Sequence, residues 1–383
     1  MSADDPLEAF LDRFVVADPS LLYLDGNSLG RLPKATVDRL REVVEVEWGD
    51  GLVRSWEAWV EAPVRVGDLV GSVIGAAPGQ VLCCDSTTVN LYKLVHAALD
   101  AFGPRPLVVS PDDFPTDRYV VEGVAARRGL PVRPEATDEP SIVVRSLVDY
   151  RTGEIAEVPP SSPHVVIWDL SHAAGAVPVH LDDWGVQLAA GCTYKHLLGG
   201  PGAPAYLYVA TSLQERLRSP IQGWFGQRDQ FGMGAAYVPT EGVERFHAGT
   251  PPVLGLAAVE EGVRLVAEAG VDRIFAKAQV LTSRLVALAD ERLAPLGFSV
   301  ASPRDPARRG AHVSLRHPDA LAISRALVDQ ERAVPDFRAP DLLRIGLSPL
   351  STSLADVEEA VLRIERLVAR GGHVGVDVSG RVR

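Results

Sequence analysis

Between residues 164 and 202 the sequence reads HVVIWDLSHAAGAVPVHLDDWGVQLAAGCTYKHLLGGPG, and it sets an aspartate and a lysine where they could work together. Asp169 closes a short apolar run and is followed by Ser171 and His172. Tyr194 and Lys195 sit where the next apolar stretch runs into glycines. A carboxylate at a strand end and an amine at a later turn suit a pyridoxal-phosphate enzyme. Lys195 would hold the cofactor as a Schiff base, and Asp169 would keep the pyridine nitrogen protonated so that the ring can draw electrons. Either residue alone could be an ordinary surface lysine or turn aspartate; the pairing within one βα unit favours the chemistry. Chemistry that needs a primary amine has few candidates, because the lysines are Lys34, Lys93, Lys195 and Lys277 and all other basic residues are arginine.

The elements that would position these residues read as α/β. From about residue 66 to 210, apolar runs (VLCCD, PLVVS, SIVVRSLV, HVVIWDL, APAYLYV) alternate with helical stretches such as VNLYKLVHAALDAF. Runs without polar alternation suit parallel strands covered on both faces, and ligands bind beyond the carboxyl ends of such strands. Upstream, LLYLDGNSLG is extended and Pro33 opens an amphipathic helix, proline being tolerated in a first helical turn. From about residue 254 a long helix, LGLAAVEEGVRLVAEAG, leads to a second α/β portion with the strand AHVSLRH and a final helix, LADVEEAVLRIERLVA. The tail GGHVGVDVSGRVR is expected to be poorly ordered.

These blocks, in this order, resemble kynureninase, of the fold-type I (aspartate aminotransferase-like) pyridoxal-phosphate enzymes. The series is YLDGNSLG at 23–30, STTVNLYKL at 86–94, FPTDRY at 114–119, YRTGEI at 150–155, WDLSHAAG at 168–175, CTYKHL at 192–197, GWFG at 223–226, AGTPPVLGL at 248–256 and LLRIGLSPL at 342–350. The likeness runs from about residue 20 to 370. It implies an N-terminal segment, 1–45, joining the small domain, a large cofactor domain over 46–265 with a mostly parallel sheet, and a small C-terminal α/β domain over 266–383. It implies hydrolysis of L-kynurenine, or its 3-hydroxy form, to anthranilate, or its 3-hydroxy form, and L-alanine.

Site residues carry over with the motifs. Thr87 and Thr88 open a helix, where hydroxyls and free N–H groups can hold a phosphate. The resemblance stacks Phe114 on the pyridine ring and brings Asp117, Ser146 and His172 to the cofactor. It brings the Tyr194 phenol to the phosphate, close enough for proton transfer. Trp224 and Thr250 would close the phosphate pocket from the second subunit of a homodimer. Arg344 would take the substrate α-carboxylate through a planar two-point fork, and Asn27, Ser28 and Trp56 would line the aryl end. The chain departs from the family at Leu147-Val148-Asp149, where His-Val-Asn is usual, at Gln227 for a His, and at Ser351 for an aromatic.

Composition agrees with an enzyme of small molecules. The 383 residues are 46% hydrophobic and 23% charged, enough to bury a sizeable core, and a net charge of −12 opposes nucleic-acid binding. There is no long apolar run, and the start MSADDPLEAF is acidic, so the expectation is a cytoplasmic protein without a membrane partner. Cys83, Cys84 and Cys192 form neither a zinc spacing nor a disulfide framework. A cysteine desulfurase or selenocysteine lyase on the same fold is the nearest alternative. It would want a cysteine in a mobile loop near residue 330, and none stands there. A hydrolase of another aryl-ketone amino acid is the second.

Overall fold

The structure, a computed structural model, describes residues 5–159 and 162–379. At its centre lies a seven-stranded sheet in the order Val81–Cys83, Tyr206–Val209, Leu188–Gly191, Val165–Asp169, Ile142–Ser146, Leu107–Val108 and Val132–Arg133. The last five run parallel, and Tyr206–Val209 is antiparallel to both of its neighbours. Leu188–Gly191 and Tyr206–Val209 are buried along their whole length because helices cover both faces of the sheet. On one face Trp56–Ile74 and Val253–Ala269 contribute Val66, Val70, Val259 and Val263 to the core. On the other, Thr87–Phe102 and Pro115–Arg128 contribute Leu91, Leu94, Val121 and Val124.

The apolar runs read from the sequence are strands, as expected. The reversed direction of Tyr206–Val209 was not foreseen, since an apolar run carries no information about direction.

A second sheet, antiparallel, has the order Asp336–Arg338, Leu342–Gly346, His312–Arg316, Ser299–Val300. The helices Val271–Leu288, Ala320–Glu331 and Leu354–Ala369 bury Leu281, Leu285, Ile323, Leu327, Val361 and Ile364 against it. Leu22–Tyr23 pairs in parallel with Ala333–Val334, so the N-terminal segment is stitched to the C-terminal part of the chain. The tail departs from expectation as far as Ser379: Gln330 donates to the Gly372 carbonyl, and Arg325 donates to the Asp377 and Ser379 carbonyls. Residues 380–383 lie outside the described residues. Among the described residues no helix is long and apolar enough to cross a membrane.

Candidate active site

At the carboxyl ends of the parallel strands a cavity of about 140 Å³ opens. It is lined by nine of the residues expected there: Thr87, Thr88, Phe114, Asp117, Ser146, Asp169, His172, Tyr194 and Lys195. Asp169 is the last residue of its strand and stands in register with Ser146 on the next. Its Oδ1 accepts from the Ser171 N–H at 2.8 Å and the Ser171 hydroxyl at 2.5 Å, which turns the chain out of the strand and fixes the carboxylate. Three residues on, His172 brings its Nε2 to 2.8 Å from the Lys195 amine. That lysine follows the strand Leu188–Gly191, and its turn is held by the N-terminal segment. Gly30 donates to the Tyr194 carbonyl at 2.9 Å, and a Cβ at Gly30 would lie 2.4 Å from the Lys195 carbonyl oxygen. Only glycine permits that approach.

One end of the cavity is the start of the helix Thr87–Phe102, whose N-cap Ser86 accepts from Val89. Phe114 caps the helix Pro115–Arg128, and its ring meets Tyr150 edge to face at 5.2 Å. The Lys195 amine lies 5.9 Å from the centroids of both Phe114 and Tyr194. Asp113 pins this loop to the strand end, accepting from the Ser146 N–H at 3.3 Å.

Burial dominates the electrostatics. It lowers the pKa of Lys195 from its usual range, opposed by Cys192 and Asp169. It raises Asp169, opposed by the Ser171 hydrogen bonds and by Lys195. Asp117, fully buried with both carboxylate oxygens unpartnered, is pushed well up by burial and by the neighbouring Asp169. His172 is held well below its usual value and is therefore neutral, with Nδ1 unpartnered. Burial also raises the Tyr194 phenol, so it keeps its proton at neutral pH.

Six expected residues do not line this cavity within one chain: Asn27, Ser28, Trp56, Trp224, Thr250 and Arg344. Arg344 lies beside it, donating to the backbone carbonyl of Tyr150, a lining residue, at 2.5 Å. The sequence reading left its fork free, but the structure finds it in an ion pair with Asp336 and bonded to Ser28 Oγ at 2.8 Å. Burial lowers its pKa to about 10, so the guanidinium stays charged at neutral pH. Asn27 is fully buried beneath Gly346, with both amide atoms unpartnered. Trp56 and Trp224 meet edge to face at 6.5 Å, Trp56 stacks on Phe225 at 6.2 Å, and Trp224 and Thr250 reach the surface.

Sequence reasoning missed several neighbours. Ser86, Thr116, Tyr150 and Ser171 line the cavity, and each stands within a motif already singled out. Buried His196 and His312 face His172, at ring distances of 6.5 and 5.6 Å. Nothing in the segment VPDFR, which carries both Asp336 and Arg338, marks Asp336 as the partner of Arg344. The departures fall on local structure. Asp149 Oδ1 accepts from the Arg151 and Thr152 N–H groups and so closes the YRTG turn. Leu147 is core, Gln227 bridges to the Ala236 carbonyl and the Val238 N–H, and half-buried Ser351 donates its N–H to the Ser348 carbonyl.

The donor set fits pyridoxal phosphate. A helix start for the phosphate, an aromatic face for the ring, a buried carboxylate for the ring nitrogen and a buried amine share one small cavity. The comparisons agree. A family model described as "Kynureninase C-terminal domain" matches residues 274–364. Kynureninase of Pseudomonas fluorescens is 36% identical over 97% of this chain and 94% of that protein. Kynureninase of Burkholderia pseudomallei (strain 1106a) is 37% identical over 94% and 92%. Among solved structures, the apo cysteine desulfurase of Thermococcus onnurineus NA1 shares the fold with a TM-score of 0.80 at 21% identity, covering 95% of this chain and 98% of that one. Identity of this order over nearly the whole length of both chains makes this chain a member of the kynureninase family.

Proposed function

We propose that this chain is a pyridoxal-phosphate-dependent hydrolase. It would add water across the Cβ–Cγ bond of L-kynurenine, or its 3-hydroxy form, to release anthranilate, or its 3-hydroxy form, and L-alanine. The observation that carries this reading is the buried Lys195 amine, 2.8 Å from His172 in a cavity that also holds Asp169 and the helix start at Thr87. Bound pyridoxal phosphate supplies an electron sink for the pair left behind when the substrate loses its α-proton. Thr87 and Thr88 bind the phosphate, Phe114 covers the ring, and Asp169 holds a proton at the ring nitrogen. Lys195 anchors the cofactor through its amine, and once displaced by the amino acid it removes and returns the proton at Cα. Neutral His172 accepts a hydrogen bond from the Lys195 ammonium, which keeps the amine aimed into the cavity. Tyr194, protonated through burial, is the proton donor beside the phosphate end. Arg344 takes the α-carboxylate.

Incubation with each substrate, followed by anthranilate-type fluorescence and L-alanine release, tests the activity. Fluorescent product from at least one of the two is the expected result, and no product from either would refute the reading. The desulfurase alternative has the fold likeness behind it, but that chemistry needs a mobile-loop thiol, and Cys83, Cys84 and Cys192 are all buried.

The working unit in this proposal is a homodimer, with Trp224 and Thr250 completing the partner's phosphate pocket. Two observations support it: both reach the surface, and neither lines the cavity of its own chain. Sedimentation of the active enzyme should give twice the chain mass, and full activity in a monomer would contradict it. A cytoplasmic location belongs to the same proposal.

A further inference from the structure

Lys93 is used by nothing described so far, yet it is a fully buried ammonium on the helix that begins the phosphate end of the cavity. Its amine donates to Asp85 Oδ2 at 2.5 Å and to the Phe246 carbonyl at 2.6 Å. Burying a charge is unfavourable unless it is paired and hydrogen-bonded, so this placement constrains whatever it holds.

What it holds is the turn before the phosphate helix. Asp85 has φ of +49°, a left-handed conformation uncommon for residues with a Cβ though more accessible to aspartate than to most, and the Lys93 contact fixes its side chain there. Directly after it come Ser86, the N-cap, and the cavity-lining Thr87 and Thr88. The other contact leads to the segment that carries Thr250, the residue proposed for the partner's phosphate pocket. Phe246 is followed by the segment to Thr250, and the turn at Gly223 rests on it so closely that a Cβ there would lie 1.6 Å from the Ala248 carbonyl oxygen.

We propose that Lys93 is a positioning residue for the cofactor phosphate. It fixes the Asp85 turn so that the N–H and hydroxyl groups of Thr87 and Thr88 converge on one point, and it holds the segment carrying Thr250 at a set distance from that turn. The proposal rests on the pyridoxal-phosphate reading of the cavity.

The test compares two ligands that differ only in the phosphate. Apoprotein of the full chain is titrated with pyridoxal phosphate and with pyridoxal, following absorbance and protein fluorescence, while thermal melting of each apoprotein monitors folding. The unaltered protein should bind pyridoxal phosphate far more tightly; absence of that preference would refute the cofactor reading, and this proposal with it. Lys93→Met keeps the length of the side chain and removes the ammonium. It should weaken pyridoxal phosphate by about tenfold or more, as loss of one or more charge-assisted hydrogen bonds does, and pyridoxal by less than about threefold. Asp85→Asn, with a residue type that tolerates left-handed φ, should show the same selective loss and decides the matter alone if Lys93→Met fails to fold. The double variant Lys93→Met/Asp85→Asn should stay weak for the phosphate ligand. Equal loss for both ligands, or recovery in the double variant, would overturn the proposal and leave Lys93 a structural counter-charge.

Discussion

Lys195→Ala should reduce kcat by about 10⁴-fold or more, because it removes both the covalent anchor of the cofactor and the base that moves the α-proton. The residue is suited to both tasks. Burial lowers its pKa, which raises the fraction of neutral, nucleophilic amine, and His172 fixes its direction. Borohydride reduction of the cofactor-loaded protein, followed by peptide mapping, should place the label on Lys195, and the structure explains why the other lysines should be spared. Lys93 and Lys277 are buried in ion pairs with Asp85 and Asp5, and Lys34 is exposed at the start of its helix, away from the cavity. A label on any of these three would refute the assignment. Since the substitution deletes a buried amine and adds no bulk, the apoprotein should remain folded, so the loss of activity can be read as chemistry.

Asp169 and Lys195 were legible because each depends on local pattern: an apolar run ending in a carboxylate, and another running into glycines. The same holds for Thr87 and Thr88 at a helix start. Legibility failed where the determinant is register between distant strands. Asp336 stands opposite Arg344 because Asp336–Arg338 and Leu342–Gly346 pair antiparallel, and no periodicity in the sequence announces which residues will face each other. The reversed strand Tyr206–Val209 belongs with this class. Gly30 was visible as part of a motif, but its reason, contact with the lysine turn, joins segments more than 160 residues apart. Trp56, Trp224 and Thr250 were legible as site residues only by resemblance, and one chain does not bring them to its own cavity.

Arg344→Ala should leave the spectrum of bound cofactor unchanged while kcat/KM falls by roughly thirty-fold to several thousand-fold, the effect of losing about 2–5 kcal/mol from a buried charge-assisted contact. Among the described residues, none of the guanidinium's hydrogen bonds or ion pairs goes to a residue proposed to hold the cofactor. Its bonds go to the Tyr150 carbonyl, Ser28 and Asp336, and its Nε is buried without a partner. A substrate carboxylate would therefore meet a group already oriented and partly neutralised, and would compete with Asp336 for it. Arg344→Lys should recover little, because an ammonium cannot span the Tyr150, Ser28 and Asp336 positions with one planar group. The neighbouring Arg338 binds the same Asp336 Oδ2 at 2.8 Å. Arg338→Ala leaves Arg344 as the ion-pair partner of Asp336 and should lower kcat/KM by a smaller factor, through tighter retention of Arg344 by Asp336. If Arg344→Ala strips the cofactor, or Arg338→Ala proves equally damaging, the carboxylate is held elsewhere.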